Sequence, residues 1–164
     1  MHRHQHGAYT AGVHDVFGWL SLREWLAILR IGIGLWWLEG VRHKNLREFL
    51  RGSSMNWVEK LTHDHPVPAY AALVRRSSLG SQRSRLITSY LIVAGESCVG
   101  VSLSLGLLTV LGAIVGLFQN LNYLLLAGLT DQGEQGQNLM MILIEVVVLA
   151  TGAGMTWGID GKLF

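Results

Sequence analysis

Cysteine and proline are almost missing from this sequence. Its 164 residues include one cysteine, Cys98, and two prolines, Pro66 and Pro68. A lone cysteine excludes an internal disulfide, a C-x-x-C redox pair and a cysteine-ligated zinc site. We expect Cys98 to be a small residue on a packed helix face. Any redox centre that works with this protein should therefore lie in another chain or molecule.

Charge is also scarce. Only 15% of the residues are charged, 50% are hydrophobic and 20 are glycine. This composition excludes a disordered chain and a soluble enzyme with a charged surface, and it fits one compact transmembrane domain over residues 1–164. The sequence has no P-loop, no glycine-rich dinucleotide turn, no nucleophile elbow and no voltage-sensor-like series of arginines. We expect no nucleic-acid partner.

Four long apolar stretches are what the sequence does contain. A helix that spans a bilayer needs roughly 20 apolar residues. The middle run, residues 86–128, is about twice too long for one helix, so we expect a tight turn between Gly106 and Thr109. We therefore predict an all-α membrane protein, a bundle of four transmembrane helices over residues 25–41, 86–106, 108–128 and 138–157.

The start of the chain, MHRHQHGAYTAGVHDVFGWL, lacks a cationic segment followed by an apolar run and a small-residue cleavage site. We expect no cleavable signal peptide, so the first span should itself direct insertion into the membrane.

Aromatic and basic residues orient the predicted bundle. Trp19, Trp25 and Trp157 should lie at one membrane interface. Four aromatic residues should lie at the other: Trp36, Trp37, Tyr90 and Tyr123. That second side also carries most of the positive charge, in Arg42, Lys44, Arg47, Arg51, Lys60, Arg75, Arg76, Arg83 and Arg85. The positive-inside rule then predicts a multi-pass protein of a plasma or inner membrane, with this basic connection in the cytoplasm and both termini outside. An acidic partner or an anionic substrate facing the same residues would imitate that signal.

The connection itself, residues 42–85, is too long to be a plain link. Apolar residues recur at helical spacing at 46–50 and 57–61, with cationic residues around them. We predict short amphipathic interfacial helices here, and Pro68 should open another short helix through Val74. The basic residues from Arg42 to Arg85 would bind anionic lipid headgroups, dock a partner or form a lid.

Each apolar stretch is interrupted by an acid or an amide, and such groups are costly in hydrocarbon, so they usually mark a partner or a function. The interrupting residues are Glu39, Glu96, Asn120, Asn122 and Glu145. Counting ~1.5 Å per residue from the basic side, Glu39 lies about one turn deep and Glu145 roughly 10 Å deep. On the same count Asn120 lies at about 12 Å and Glu96 at about 15 Å. We infer a polar pocket that opens toward the basic connection, with Glu96 at its floor.

Two interpretations of these polar residues stay open. The side chains could hydrogen-bond one another as packing contacts, with a carboxyl kept protonated by desolvation. Alternatively, Glu96 and Glu145 could be catalytic groups that transfer protons or hydrogen-bond a quinone carbonyl. Arg30 lies on the opposite face of the first span from Glu39, and would either snorkel to the interface or pair with a neighbouring subunit.

All seven histidines lie outside the predicted spans. A haem held within a bundle needs axial ligands there, usually histidine. We therefore expect no metal-ligated or covalent cofactor, and a quinone is the one candidate. The His-rich MHRHQH start and the His63-Asp64-His65 segment carry weak signals for metal binding, and we interpret them as a solvated tail and loop.

Three glycine-rich, acid-bearing segments stand out: LRIGIGLWWLEGVRHK, GESCVGVSLSLGLLTVLGAIVGL and NLMMILIEVVVLATGAGMTWGID. Together with the long first connection, they resemble the DoxD branch of the DoxX/DoxD-like family, which includes the small subunit of thiosulfate:quinone oxidoreductase. The resemblance implies a four-helix membrane subunit that works with other polypeptides around the quinone pool. By motif position it points to Glu96, Asn138, Asp160 and Lys44. One departure is Val110, which stands where the family often has a basic residue.

Two functions from different classes follow. In the first, the chain is an oxidoreductase subunit whose quinone or proton site contains Glu96 and Glu145. Its further pocket candidates are Glu39, Asn120, Asn122, Asn138, Lys44 and Asp160. In the alternative, the chain is a non-catalytic accessory subunit of a larger respiratory or photosynthetic membrane complex. A small transporter fits less well, because the sequence shows no inverted repeat.

Overall fold

The computed structural model describes residues 18–164, and this part of the chain is helical. The expectations for the N-terminal signal and for the His-rich tail fall chiefly on residues 1–17, outside the described part. In chain order, the α-helices of the described part are α1 (Leu22–Arg42), α2 (Leu46–Phe49), α3 (Ser54–His63), α4 (Pro68–Val74), α5 (Gln82–Leu105), α6 (Thr109–Tyr123), α7 (Gln132–Thr151) and α8 (Asp160–Leu163).

Helix α1 begins where the sequence offers a capping box. The Ser21 hydroxyl accepts a hydrogen bond from the Glu24 N–H, and the Ser21 N–H donates to Glu24 Oε2 at 2.7 Å. This pair satisfies two of the unpaired groups at the helix start. Helix α1 therefore begins ahead of the predicted span 25–41, at Leu22.

The tight turn predicted between Gly106 and Thr109 is confirmed. Gly106 has φ 62° and Leu108 has φ 51°, so the chain reverses through two left-handed residues between α5 and α6. Such a conformation suits glycine but strains leucine. The Ser102 hydroxyl donates to the Leu107 carbonyl at 2.7 Å and ties the turn to α5.

The last long helix, α7, has different bounds from the predicted span 138–157. Helix α7 begins six residues earlier, at Gln132, because Asp131 caps it through a 2.9 Å hydrogen bond from the Glu134 N–H. It ends at Thr151 because Gly152 takes a left-handed conformation, and a 3-10 turn, Ala153–Met155, follows. Capping chemistry set these ends, whereas the prediction followed hydropathy alone.

The basic connection is helical as predicted, and Pro68 opens α4 through Val74. Some of its apolar residues pack against the bundle, and others remain exposed. Met55 and Val58 are buried and pack with Leu126, which lies in the π-helical turn Leu124–Gly128 that extends α6. Trp57 stays half-exposed. The connection is thus partly seated on one end of the bundle rather than lying free on a surface.

The core joins the long helices α1, α5, α6 and α7. Its buried cluster contains Ile33, Trp37, Val99, Leu103, Ala113, Met141, Val148 and Ala153. Glycines allow the closest approaches, since a Cβ on Gly34 of α1 would lie only 2.9 Å from the Leu103 carbonyl carbon of α5. Cys98, expected on a packed face, is exposed instead. The buried face of α5 contains Glu96, Val99 and Leu103, and Cys98 is not on that face.

Within the described residues, two helical segments are long and apolar enough to cross a membrane, Gln82–Leu105 and Thr109–Gly128. Large apolar side chains also point outward from all four long helices, including Leu35, Leu91, Phe118 and Leu143. Helices α5 and α6 thus have the length and hydropathy that the prediction of four spans requires, and the four spans themselves stay a prediction.

Both interpretations of Arg30 were wrong. The side chain has no solvent exposure and lies inside the bundle. It donates to the Leu103 carbonyl at 2.7 Å and to the Thr156 and Trp157 carbonyls at 3.3 Å each. Those carbonyls are free because α5 and α7 end nearby. Arg30 therefore fastens the two helix ends within the chain.

Candidate functional site

Glu96 is held in the bundle by two partners from distant parts of the chain. Its side chain, on the inner face of α5, is 4% exposed. Lys44 Nζ lies 2.5 Å from Oε2, and the Tyr123 hydroxyl donates to Oε1 at 2.7 Å. Lys44 follows two residues after the end of α1 at Arg42, and its side chain reaches Glu96 on α5. The pair leaves Lys44 at the border between the bundle and solvent.

Glu145 on α7 forms a second buried cluster. It has no solvent exposure. Trp37 Nε1 donates to Oε1 at 3.1 Å, and Asn120 Nδ2 lies 3.0 Å from both carboxylate oxygens. The carboxylate fits against α6 because residue 116 is glycine, and a Cβ at that position would overlap it. Helices α1, α6 and α7 thus each contribute one polar group to this contact.

A cavity of about 330 Å³ is lined by the whole Glu96 cluster and by Trp37 and Asn120, the two partners of Glu145. Its polar lining contains Lys44, Glu96, Asn120, Tyr123, Glu134, Gln137 and Asn138. Most of the remaining wall is aromatic or apolar, including Trp36, Trp37, Phe49, Met55, Trp57 and Met141. Such a lining, apolar with a few convergent polar groups, is typical of a small-molecule site.

Four predicted pocket residues line this cavity: Glu96, Lys44, Asn120 and Asn138. Glu145 is not part of the lining but lies directly behind it, in contact with Asn120 and Trp37. Acids and amides of separate helices therefore face a shared interior below the basic connection, as expected.

Three other candidates lie elsewhere. Glu39 is exposed and binds Arg42 and His43, because it points away from α5. Asn122 donates to the Phe118 carbonyl and accepts from the Tyr70 hydroxyl, since it lies on a different face of α6 from Asn120.

Asp160 lies at the opposite end of the bundle, away from the cavity. Its carboxylate accepts hydrogen bonds from the N–H groups of Leu108 and Thr109, at 2.7 and 2.9 Å. It caps the start of α6. Burial would raise the pKa of Asp160, but the hydrogen bonds from Thr109 and Leu108 and the charge of Arg30 outweigh it, so the pKa lies below its ordinary value.

Sequence reasoning missed three cavity residues. Trp37 and Tyr123 were interpreted as interface aromatics, yet Trp37 is only 5% exposed and both bind a buried carboxylate. Glu134 was not considered. Helical spacing carried a signal for two of them, because Tyr123 follows Asn120 by three residues and Glu134 precedes Asn138 by four, so each pair shares a face.

Among residues 18–164, no group of three His, Cys, Asp or Glu side chains could hold a metal. His63 is exposed beside Asp64, whereas His65 is buried, with Nε2 2.8 Å from the Leu125 carbonyl oxygen. The expectation of a solvated loop therefore fails for His65, which instead attaches the connection to the end of α6.

These features define a helical bundle with one buried carboxylate, Glu96, in a cavity wall and a second, Glu145, behind that wall. The chain belongs to the DoxD family: the family model described as "TQO small subunit DoxD" matches residues 25–164. TQO stands for thiosulfate:quinone oxidoreductase. No curated protein and no solved structure matches the chain.

Proposed function

We propose that this chain is the membrane subunit of a thiosulfate:quinone oxidoreductase and that its cavity binds the ring of a membrane quinone. The family description supports the first part, and it makes the other subunits of that complex the partners. The second part rests on one observation: the Lys44–Glu96–Tyr123 cluster lies in the wall of a largely apolar and aromatic cavity.

A quinone needs a flat apolar slot and hydrogen-bond donors near its carbonyl oxygens. Trp36, Trp37 and Trp57 supply aromatic walls. Lys44 supplies a cationic donor, and Tyr123 supplies a hydroxyl. A cavity of about 330 Å³ lies at the small end of the range for ligand sites and suits a single ring better than a whole isoprenoid quinone. The quinone's tail would remain in the lipid.

The chemistry assigned to this chain is binding and charge stabilisation. Electrons come from thiosulfate through the partner subunits. Negative charge then develops on the quinone oxygens, and Lys44 is placed to stabilise it. Glu145 holds the Asn120 amide in position behind the wall and is a positioning residue.

Four spans are part of this proposal. Helices α1 and α7 contain 21 and 20 residues, so each is about 30 Å long and matches a hydrocarbon core. Arg30, Asn138 and Glu145, which lie in these two helices, are buried inside the bundle and so would not face lipid. The basic connection would lie in the cytoplasm and contact anionic headgroups.

The substitution Glu96→Gln in the purified complex tests the quinone site. We expect thiosulfate-dependent quinone reduction to fall by about tenfold or more, with weaker quinone binding in a fluorescence titration. Assembly and electron transfer to a soluble one-electron acceptor such as ferricyanide should be unchanged. Glu39→Gln is the matched control, because Glu39 is an exposed acid outside the cavity. Normal quinone affinity and turnover in Glu96→Gln would overturn the quinone site and leave the chain as an accessory packing subunit.

A further inference from the structure

Glu134 differs from the other acids of the cavity in its access to water. It lies in the first turn of α7, ahead of the apolar part of that helix, and its side chain is partly exposed. It also lines the cavity that contains Glu96. One carboxyl group therefore contacts both the aqueous side and the interior.

Among the residues that line the cavity, exposure falls from Glu134 to the buried residues Asn138 and Glu96. Asn138, 1% exposed, donates to the Glu134 carbonyl at 2.7 Å and lies 3.4 Å from its Oε2. Tyr123, whose hydroxyl donates to Glu96, lines the same cavity as Glu134. The cavity lining therefore contains a partly exposed acid, Glu134, and a buried acid, Glu96, with Tyr123 bound to the buried one.

Lys44 is the other ionisable group at the border, but it is bound to Glu96. The charged and titratable groups around Glu134 are Lys44, Glu96 and Tyr123 across the cavity, and Asp131, whose carboxylate accepts from the Glu134 N–H. Of the acids that line the cavity, Glu96 is buried and paired, so Glu134 is the one that can exchange protons with water directly.

We propose that Glu134 is the proton-uptake carboxyl of this cavity; the inference rests on the quinone site proposed above. Reducing a quinone to a quinol takes two electrons, which thiosulfate supplies through the partner subunits, and two protons, which form the two new O–H bonds. The Glu134 carboxyl releases a proton toward Tyr123 and Glu96, becomes a carboxylate and is reprotonated from water, and this cycle runs twice for each quinone reduced. Glu96 is the last protein group before the quinone oxygen.

Glu134→Gln tests this assignment, because an amide keeps the size of the side chain but carries no exchangeable acid proton. In the reconstituted complex, we expect quinol formation and proton uptake, followed with a pH-indicator dye, to slow by about tenfold or more at alkaline pH. The defect should shrink at acidic pH. Added formate or acetate should restore part of the rate, since a small acid can enter the cavity and replace the missing carboxyl.

Glu48→Gln is the matched control, because Glu48 is an exposed acid on α2 outside the cavity lining. Ferricyanide reduction should stay normal in both variants, and Glu48→Gln should also keep normal quinone affinity and proton uptake. If Glu134→Gln binds quinone normally and takes up protons as fast as the unmodified complex at every pH, the assignment is overturned while the quinone site survives. If the unmodified complex binds no quinone at the cavity, the proposed function itself fails.

Discussion

Lys44 Nζ lies 2.5 Å from Glu96 Oε2, although the two residues are 52 positions apart in the chain. The contact joins the end of α1 to the interior of α5. Because Glu96 is 4% exposed and accepts a second hydrogen bond from Tyr123, its charge is compensated within the protein. The pair is thus both a tertiary contact and the polar centre of the cavity.

Removing one charged side chain of this pair should lower the free energy of unfolding more than removing both. Lys44→Met leaves a buried carboxylate without its cation, and we expect a loss of about 2–4 kcal/mol in the free energy of unfolding. Lys44→Met combined with Glu96→Met should recover most of that loss, since no buried charge remains. Denaturation in lipid or detergent gives the comparison. Additive losses in the double variant would show that the two side chains are not coupled.

The stability of the α6 cap should depend on pH in a defined direction. The pKa of Asp160 is lowered in the folded protein, so its stabilising contribution is present above the ordinary pKa of an aspartate, about 4. The contribution is lost as the pH falls through the lower, folded-state pKa. Asp160→Asn should cost about 1–2 kcal/mol at neutral pH and remove this acid-dependent part. Melting curves over a pH series compare the two proteins, and parallel acid profiles would contradict the assignment.

Two glycines on α1 should respond oppositely to alanine. A Cβ at Gly34 would press on the backbone of Leu103 and Ser104 in α5, and the backbone cannot move aside cheaply. We expect Gly34→Ala to destabilise the protein by about 1–3 kcal/mol. A Cβ at Gly32 meets nothing within 4 Å, so Gly32→Ala should be neutral or stabilising by up to about 1 kcal/mol. Thermal unfolding of both variants checks the pair, and an equal response would mean that α1 and α5 cross elsewhere.

Local signals in the sequence predicted several elements well. The long apolar run required a reversal, and glycine at position 106 marked it. Pro68 predicted the start of α4 because proline is favoured in the first helical turn. The buried acids Glu96 and Glu145 were found by the same kind of argument, since a carboxylate inside an apolar stretch needs a partner.

The sequence did not predict which residue each of these side chains contacts. Trp37 was expected to face an interface, but the rotation of α1 against α7 directs its indole N–H to Glu145. Asp160 was grouped with the pocket residues by motif position, yet the chain after Gly152 folds under α6 and uses it as a cap. Spacing along one helix defines a face, but it does not say which neighbour that face meets.

The sequence by itself determined the helical class, the α5–α6 hairpin and the burial of two acids, because hydropathy, glycine and proline act within a few residues. Only the tertiary structure decided that Arg30 binds three carbonyls, that Lys44 pairs with Glu96 and that the partly exposed Glu134 lines the same cavity. These contacts depend on how separate helices rotate and where they end. Packing of the whole bundle fixes both at once.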